Sequence, residues 1–125
     1  MEQARILIAE DETALSGVMH NKLARHGFLV EVAGDGEEAL AKIRSLHPDL
    51  VLLDLIMPNK NGFQVLEEVK ADPAISATRI VVFSNLNQDE DRERAKKLGA
   101  LDFLVKSDLA INDVIQKINE FLTRT

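Results

Sequence analysis

The chain has 125 residues, a length typical of one domain, and its hydrophobic (46%) and charged (29%) fractions are those of an ordinary globular protein. It contains no cysteine, which excludes disulfide scaffolds, thiol catalysis and cysteine-ligated metal sites. A net charge of −6 without a basic cluster argues against direct nucleic-acid binding, and no apolar run has the length of a membrane span or of a secretory signal. We therefore expect a cytoplasmic domain.

Strands and helices are predicted to alternate along the chain. Continuous apolar runs predict strands that are buried on both faces, and apolar residues at helical spacing predict amphipathic helices. The run at 29–33 differs because Glu31 interrupts it, so we expect an edge strand there. In chain order, the predictions are strand 6–9, helix 14–26, strand 29–33, helix 36–46, strand 50–53, helix 63–71, strand 80–83, helix 89–98, strand 103–105 and helix 109–123.

In two of the predicted helices, the sequence also indicates which residues are buried. The helix at 14–26 places Leu15, Val18, Met19 and Leu23 on one apolar face. The helix at 89–98 is nearly all charged, and within it only Ala95 and Leu98 are evident core positions. We interpret it as a solvated helix, with a mobile or partner-docking helix as the alternative.

Five strand–helix pairs in 125 residues predict an α/β fold with three α/β/α layers. We predict a doubly wound, flavodoxin-like arrangement of five parallel strands in the order 2-1-3-4-5. Residues 1–125 form a single domain in this interpretation. Because little sequence follows the last helix, we expect no output domain.

Polar residues follow the strands where the chain leaves the sheet. Glu10 and Asp11 follow the first strand, Asp54 the third, Ser84 the fourth and Lys106 the fifth. Ligands in open α/β sheets bind outside the carboxyl ends of the strands, where the strand order reverses. We therefore expect these five groups to face one crevice.

Three neighbouring carboxylates repel one another, and a bound cation would relieve the repulsion. Oxygen ligands without His or Cys favour a hard ion, and few protein ligands favour Mg²⁺ bound together with a phosphoryl group. Carboxylates, Mg²⁺, a Lys and a hydroxyl are the parts of a phosphoryl-transfer site. Asp54 is the best candidate nucleophile, and Glu10 with Asp11 is a candidate metal-binding pair.

The whole chain resembles the receiver domains of bacterial two-component response regulators. The resemblance rests on Glu10-Asp11, Leu-Leu-Asp54-Leu-Ile-Met-Pro, Gly62, Ser84 and Phe103-Leu-Val-Lys106. It implies that Asp54 is the phosphoacceptor and that Lys106 and Ser84 contact the phosphoryl group. It also implies that Mg²⁺ is the cofactor and that Phe103 turns inward with Ser84 as the switch. The implied metal ligands are Glu10, Asp11, Asp54 and the backbone carbonyl of Ile56.

As a receiver, the chain would accept a phosphoryl group from a sensor histidine kinase or a phosphotransfer protein. It would then bind a downstream protein target through the surface of its fourth helix, fifth strand and fifth helix, and a phosphorylation-dependent dimer is a further option. Such a domain catalyses its own phosphorylation and dephosphorylation without being a conventional turnover enzyme.

Three residues depart from the usual family pattern. Ser107 stands where a cis proline is usual, and we expect a trans bond there because a cis Lys–Ser bond costs about 2.5–4 kcal/mol. Asn85 replaces a small residue and could narrow access to the phosphoryl group. Ile56 cannot orient an attacking water molecule, so we predict a long-lived phosphoryl form.

Other functions remain as alternatives. A degenerate receiver would act as a phosphate sink or a constitutive adaptor. A haloacid-dehalogenase-type phosphatase is disfavoured because Ile56 stands where that class needs a second Asp. An FMN-binding electron carrier is disfavoured by the acidic segment after the first strand and by the absence of Trp and Tyr.

Overall fold

A computed structural model describes residues 3–123 of the chain. Strands and helices alternate as predicted. The strands are β1 (Arg5–Ala9), β2 (Leu29–Ala33), β3 (Leu50–Leu53), β4 (Ile80–Ser84) and β5 (Asp102–Val105). The helices are α1 (Thr13–Arg25), α2 (Gly36–Leu46), α3 (Gly62–Ala71), α4 (Asp89–Lys97) and α5 (Ile111–Thr123).

The five strands form one parallel sheet in the order β2-β1-β3-β4-β5, which confirms the predicted fold and topology. The order reverses at β1, whose neighbours are β2 and β3. β2 lies at an edge of the sheet. Its residues Leu29 and Glu31 are exposed, as expected for an edge strand with one face partly open to solvent. β1, β3 and β4 are buried along nearly their whole length because helices cover both faces of the sheet.

The core has two parts, one on each side of the sheet. Alternate strand residues such as Leu7, Leu53 and Val82 pack with α2 and α3, and the residues between them pack with α1 and α5. This alternation produces the three predicted layers. In α4 only Ala95 is buried, and Leu98, which directly follows the helix, packs against the core. The prediction of a mostly solvated helix is therefore confirmed.

Two predictions about helices need correction. Val18 is half exposed, although it was predicted to lie on the buried face of α1. The buried positions are Ser16, Met19 and Leu23, and Val18 lies about 200° around the helix from Ser16, on the side away from the sheet. The fifth helix begins at Ile111, because a 3₁₀ turn at Lys106–Asp108 first carries the chain out of β5.

Helix ends follow local signals in the sequence. The Asn61 side chain accepts from the Gln64 N–H, and the Gln64 side chain accepts from the Asn61 N–H, so a capping box starts α3. After α4, Gly99 adopts φ +97°, a conformation that favours glycine at a helix end. Among residues 3–123, no helix has the length and apolar character needed to span a bilayer.

Candidate functional site

The carboxyl ends of four strands meet at one edge of the sheet. Glu10 and Asp11 follow β1, Asp54 follows β3, Ser84 is the last residue of β4 and Lys106 follows β5. Carboxylate oxygens of Glu10, Asp11 and Asp54 lie within 4.8 Å of one another. Ser84 and Lys106 both contact Asp54. The structure therefore brings together the five groups that the strand ends predicted.

Asp54 is 7% exposed, and three donors surround its carboxylate. The Ser84 hydroxyl donates to Oδ1 at 2.8 Å, the Ile56 N–H donates to Oδ1 at 3.2 Å, and Lys106 Nζ donates to Oδ2 at 2.9 Å. Burial alone raises the pKa of Asp54, but its contacts with Glu10, Lys106 and Ser84 outweigh burial and leave the pKa below its usual value. Asp54 is therefore ionised at neutral pH, which is the state that a nucleophilic carboxylate would require.

Glu10 has a different environment from Asp54. It is 4% exposed, and one carboxylate oxygen pairs with Lys106 while Oε2 has no hydrogen-bond partner within residues 3–123. Burial, followed by the neighbouring Asp54 carboxylate, raises the pKa of Glu10 to about 7. The two buried carboxyl groups thus differ in pKa, because protonated Glu10 shares its proton with Asp54. Once Glu10 is ionised, its Oε2 is a buried oxygen that can take a ligand.

Lys106 provides the positive charge between the two acids. Its ammonium contacts both Glu10 and Asp54, and only 13% of its side chain is exposed. Burial alone lowers the pKa of Lys106, but the hydrogen bonds with Glu10 and Asp54 outweigh burial and raise it. One cation faces three carboxylates here, so the site keeps an excess of negative charge.

The donor set is compatible with Mg²⁺. It consists of carboxylate oxygens from Glu10, Asp11 and Asp54, and the ion class that prefers such ligands includes Mg²⁺. Asp11 is exposed, which leaves the site open to water and to a phosphoryl group. The unpartnered Oε2 of Glu10 fits a cation, since a buried carboxylate oxygen without a partner is otherwise costly. The Ile56 carbonyl remains a predicted ligand.

The loop between β3 and α3 is held close to Asp54. A Cβ added at Gly62 would lie 2.5 Å from the Asp54 carbonyl oxygen, so only glycine allows this approach. Asn59, at φ +66°, donates to the Asp35 carboxylate at 2.6 Å. Asp35 also caps α2 by accepting from the Glu38 N–H.

Sequence reasoning missed two contacts around the site. One joins Asp35 to Asn59, and the other is the Ser107 N–H donating to Asn85 Oδ1 at 2.9 Å. Asp35 before a helix is a recognisable cap signal, but nothing local indicates its second partner. Asn85 and Ser107 lie 22 residues apart in the sequence, and only the fold shows that they meet.

Comparison with known proteins decides the family. The model of the response regulator receiver domain family matches residues 6–119. This chain belongs to the response regulator receiver domain family. Its receiver fold is similar to a response regulator receiver domain protein (CheY-like) from Methanospirillum hungatei, with a TM-score of 0.89 and 27% identity over 97% of this chain and 94% of that one.

Curated relatives place this receiver domain within proteins of different lengths. Protein PilH of Pseudomonas aeruginosa is 35% identical over 82% of this chain and 85% of its own length. A probable transcriptional regulator, ycf27, of Cyanophora paradoxa is 32% identical over 100% of this chain and 51% of its own length. The chain thus spans about half the length of several curated relatives that it matches.

The remaining site predictions fall on residues at the rim of the receiver site. Phe103 is partly buried against the core, and the Arg92 guanidinium lies 5.0 Å from the centre of its ring. Ile56 is 60% exposed beside Asp54. All peptide bonds within residues 3–123 are trans, so the expected trans bond before Ser107 is confirmed.

Proposed function

We propose that this receiver domain is a phosphorylation-dependent signalling switch with Asp54 as its phosphoacceptor. The observation that carries the proposal is the environment of the Asp54 carboxylate. It is buried, it is ionised, and it is bound by Ser84, the Ile56 N–H and Lys106 beside two further acids. Such an arrangement supports attack on a phosphorus atom and stabilisation of the charge that develops there.

These contacts support the following transfer step. A carboxylate oxygen of Asp54 attacks the phosphorus of the donor, and an acyl phosphate P–O bond forms. The P–N bond of a phosphohistidine, or the P–O bond of a small acyl phosphate, breaks and its electron pair stays with the leaving group. Lys106 and Ser84 are near enough to follow the phosphoryl oxygens, since both already bond Asp54.

Glu10, Asp11 and Asp54 would hold Mg²⁺, together with the predicted carbonyl of Ile56. When bound there, such an ion would supply positive charge that stabilises the negative charge of the phosphoryl group. Ionised Glu10 is needed for this role, and its raised pKa means that its proton must leave first.

The output would pass through the surface formed by α4, β5 and α5. Phosphorylation adds roughly −1.5 to −2 units of charge and strong acceptor oxygens beside Ser84. Ser84 ends β4, directly before the loop to α4. Phe103 lies on the neighbouring strand β5, where it pairs with Val82 of β4. A groove of about 320 Å³ between α4 and β5, lined in part by Arg92, Lys96 and Phe103, would change with the Phe103 rotamer. The partners would be a sensor histidine kinase or phosphotransfer protein upstream and a target protein, or a second phosphorylated chain, downstream.

The alternative is a degenerate receiver that serves as a phosphate sink or constitutive adaptor. All the charged groups of the site are present, which favours the switch. The three carboxylates lie within 4.8 Å of one another, and Lys106 contacts two of them. We would incubate the protein with Mg²⁺ and acetyl phosphate and record the intact mass. The same treatment is given to Asp54→Asn and to the matched control Asp89→Asn, which alters an exposed aspartate on α4.

Wild type and Asp89→Asn should each gain one phosphoryl group. Asp54→Asn should gain none, and chelation of Mg²⁺ should abolish the gain in wild type. Equal labelling of Asp54→Asn would remove Asp54 from the role. No labelling of wild type, with Mg²⁺ binding intact, would favour the degenerate receiver.

A further inference from the structure

A hydrogen bond joins the two loops that leave β4 and β5. The backbone N–H of Ser107 donates to Oδ1 of Asn85 at 2.9 Å. Asn85 follows Ser84 directly, and Ser107 follows Lys106 directly. Each end of this bond is therefore one residue away from a side chain that binds Asp54.

These contacts close a ring around Asp54. On one side, the Ser84 hydroxyl donates to Asp54 at 2.8 Å, and the chain continues from Ser84 to Asn85. The Ser107 N–H bonds Asn85, and the residue before Ser107, Lys106, donates to Asp54 at 2.9 Å, which completes the ring. The pairing of β4 with β5 reaches only to Ser84 and Val105. The bond between Asn85 and Ser107 thus extends the connection of the two strands beyond the end of the sheet.

The Ser107 N–H needs such a partner. It lies in the first turn of the 3₁₀ segment Lys106–Asp108, where amide donors have no acceptor within the turn. The internal bond of this turn, from the Leu109 N–H to the Lys106 carbonyl, is long at 3.5 Å. The Asn85 side chain therefore supplies a contact that the turn does not supply for itself.

We propose that Asn85 is a positioning residue for phosphoryl transfer, which holds the turn after β5 and so aims Lys106 at Asp54. The proposal rests on the proposed function of Asp54. Asn85 does not touch the reacting atoms in this role. It couples Ser84 to Lys106, so that a movement of the Ser84 loop towards a phosphoryl group also moves the Lys106 turn.

The test uses a substitution that removes the acceptor and preserves the size of the side chain. Asn85→Leu is nearly isosteric, so access to Asp54 is unchanged. Asn85→Asp keeps an acceptor, and Asn87→Leu is the matched control in the same loop, where Asn87 is exposed. The first readouts are made without phosphodonor. They are hydrogen exchange of the Ser107 amide and solvent exchange of the Lys106 ammonium, both followed by NMR.

Asn85→Leu should lose protection of the Ser107 amide by about three- to tenfold, the value of one hydrogen bond, and should speed exchange of the Lys106 ammonium by a similar factor. Its phosphorylation by acetyl phosphate should slow by about the same factor. Asn85→Asp should restore both NMR signatures, and Asn87→Leu should match wild type. A merely structural role would change neither the ammonium nor the transfer rate.

Two results would overturn the proposal. One is a Ser107 amide that is unprotected in wild type. The other is an Asn85→Leu variant whose Ser107 amide loses protection while the Lys106 ammonium and the transfer rate stay as in wild type. Failure of wild type to become phosphorylated would count against the proposed function instead, and the two NMR readouts would still decide whether Asn85 holds Lys106.

Discussion

Replacing Glu10 with Gln should stabilise the protein in the absence of Mg²⁺, and only at high pH. Glu10 is 4% exposed, and its pKa is raised from 4.5 to about 7. The folded protein therefore binds this proton more tightly than the unfolded chain does. The tighter binding of this proton stabilises the folded state. Its contribution to the free energy of unfolding is complete below about pH 4.5 and is lost as the pH rises through about 7.

The size of the effect follows from the shift. A shift from 4.5 to about 7 is about 2.5 pKa units, and each unit is worth about 1.36 kcal/mol. The free energy of unfolding therefore falls by about 3 kcal/mol between pH values well below 4.5 and well above 7. Gln resembles the protonated carboxyl group and carries no charge at any pH. Glu10→Gln should therefore exceed wild type by about 2–3 kcal/mol near pH 8, and by less than about 1 kcal/mol near pH 5.

Urea unfolding followed by the helical circular dichroism signal is the suitable assay, because the chain has no Trp and no Tyr to report by fluorescence. Both proteins are measured with a chelator present, and Glu90→Gln, on the exposed side of α4, serves as the control. Added Mg²⁺ should then stabilise wild type near pH 8 more than it stabilises Glu10→Gln, since the variant lacks one carboxylate ligand. A variant that is no more stable than wild type near pH 8, or whose advantage is the same at both pH values, would refute the reasoning.

Three further predictions concern the loop between β3 and α3, the lifetime of the phosphoryl form and the hydrophobic core. Gly62→Ala places a Cβ 2.5 Å from the Asp54 carbonyl, so it should cost about 1–3 kcal/mol in urea unfolding and slow phosphorylation, whereas Gly17→Ala, which has open space, should do neither. Ile56→Asn puts a polar group beside Asp54 and should shorten the phosphoryl lifetime in a single-turnover decay. A wild-type lifetime of only seconds, or no change in the variant, would contradict this. Phe121→Ala removes a side chain that is 1% exposed and should lower the free energy of unfolding by about 3–5 kcal/mol, and a loss below about 1 kcal/mol would contradict its packing in the core.

Much of the site was predictable because strand ends are a local feature of the sequence. An apolar run followed by a polar residue marks the carboxyl end of a buried strand, and a parallel sheet brings such ends to one edge. Asp54 and Lys106 could therefore be placed together although they are 52 residues apart. Val18 was misplaced because apolar spacing does not reveal how wide a face the sheet covers.

The contacts that tune the site depend on distances between segments that are remote in sequence. Glu10 shows this most clearly, since its raised pKa arises from burial and from the position of Asp54, and neither is visible in the order of residues. The bond between Asn85 and Ser107 likewise needs β4 and β5 to be neighbours in the sheet.

Local sequence patterns were sufficient to predict the alternation of strands and helices, the parallel sheet and the residues that gather at its edge. These follow from apolar periodicity and from turn and capping signals, which act over a few residues. The folded structure was needed to show how the pKa values of Glu10 and Asp54 differ, which buried oxygen has no hydrogen-bond partner and which loops are bonded to each other. Those properties depend on burial and on separations of a few ångströms, because the energies of charges and hydrogen bonds change steeply over such distances.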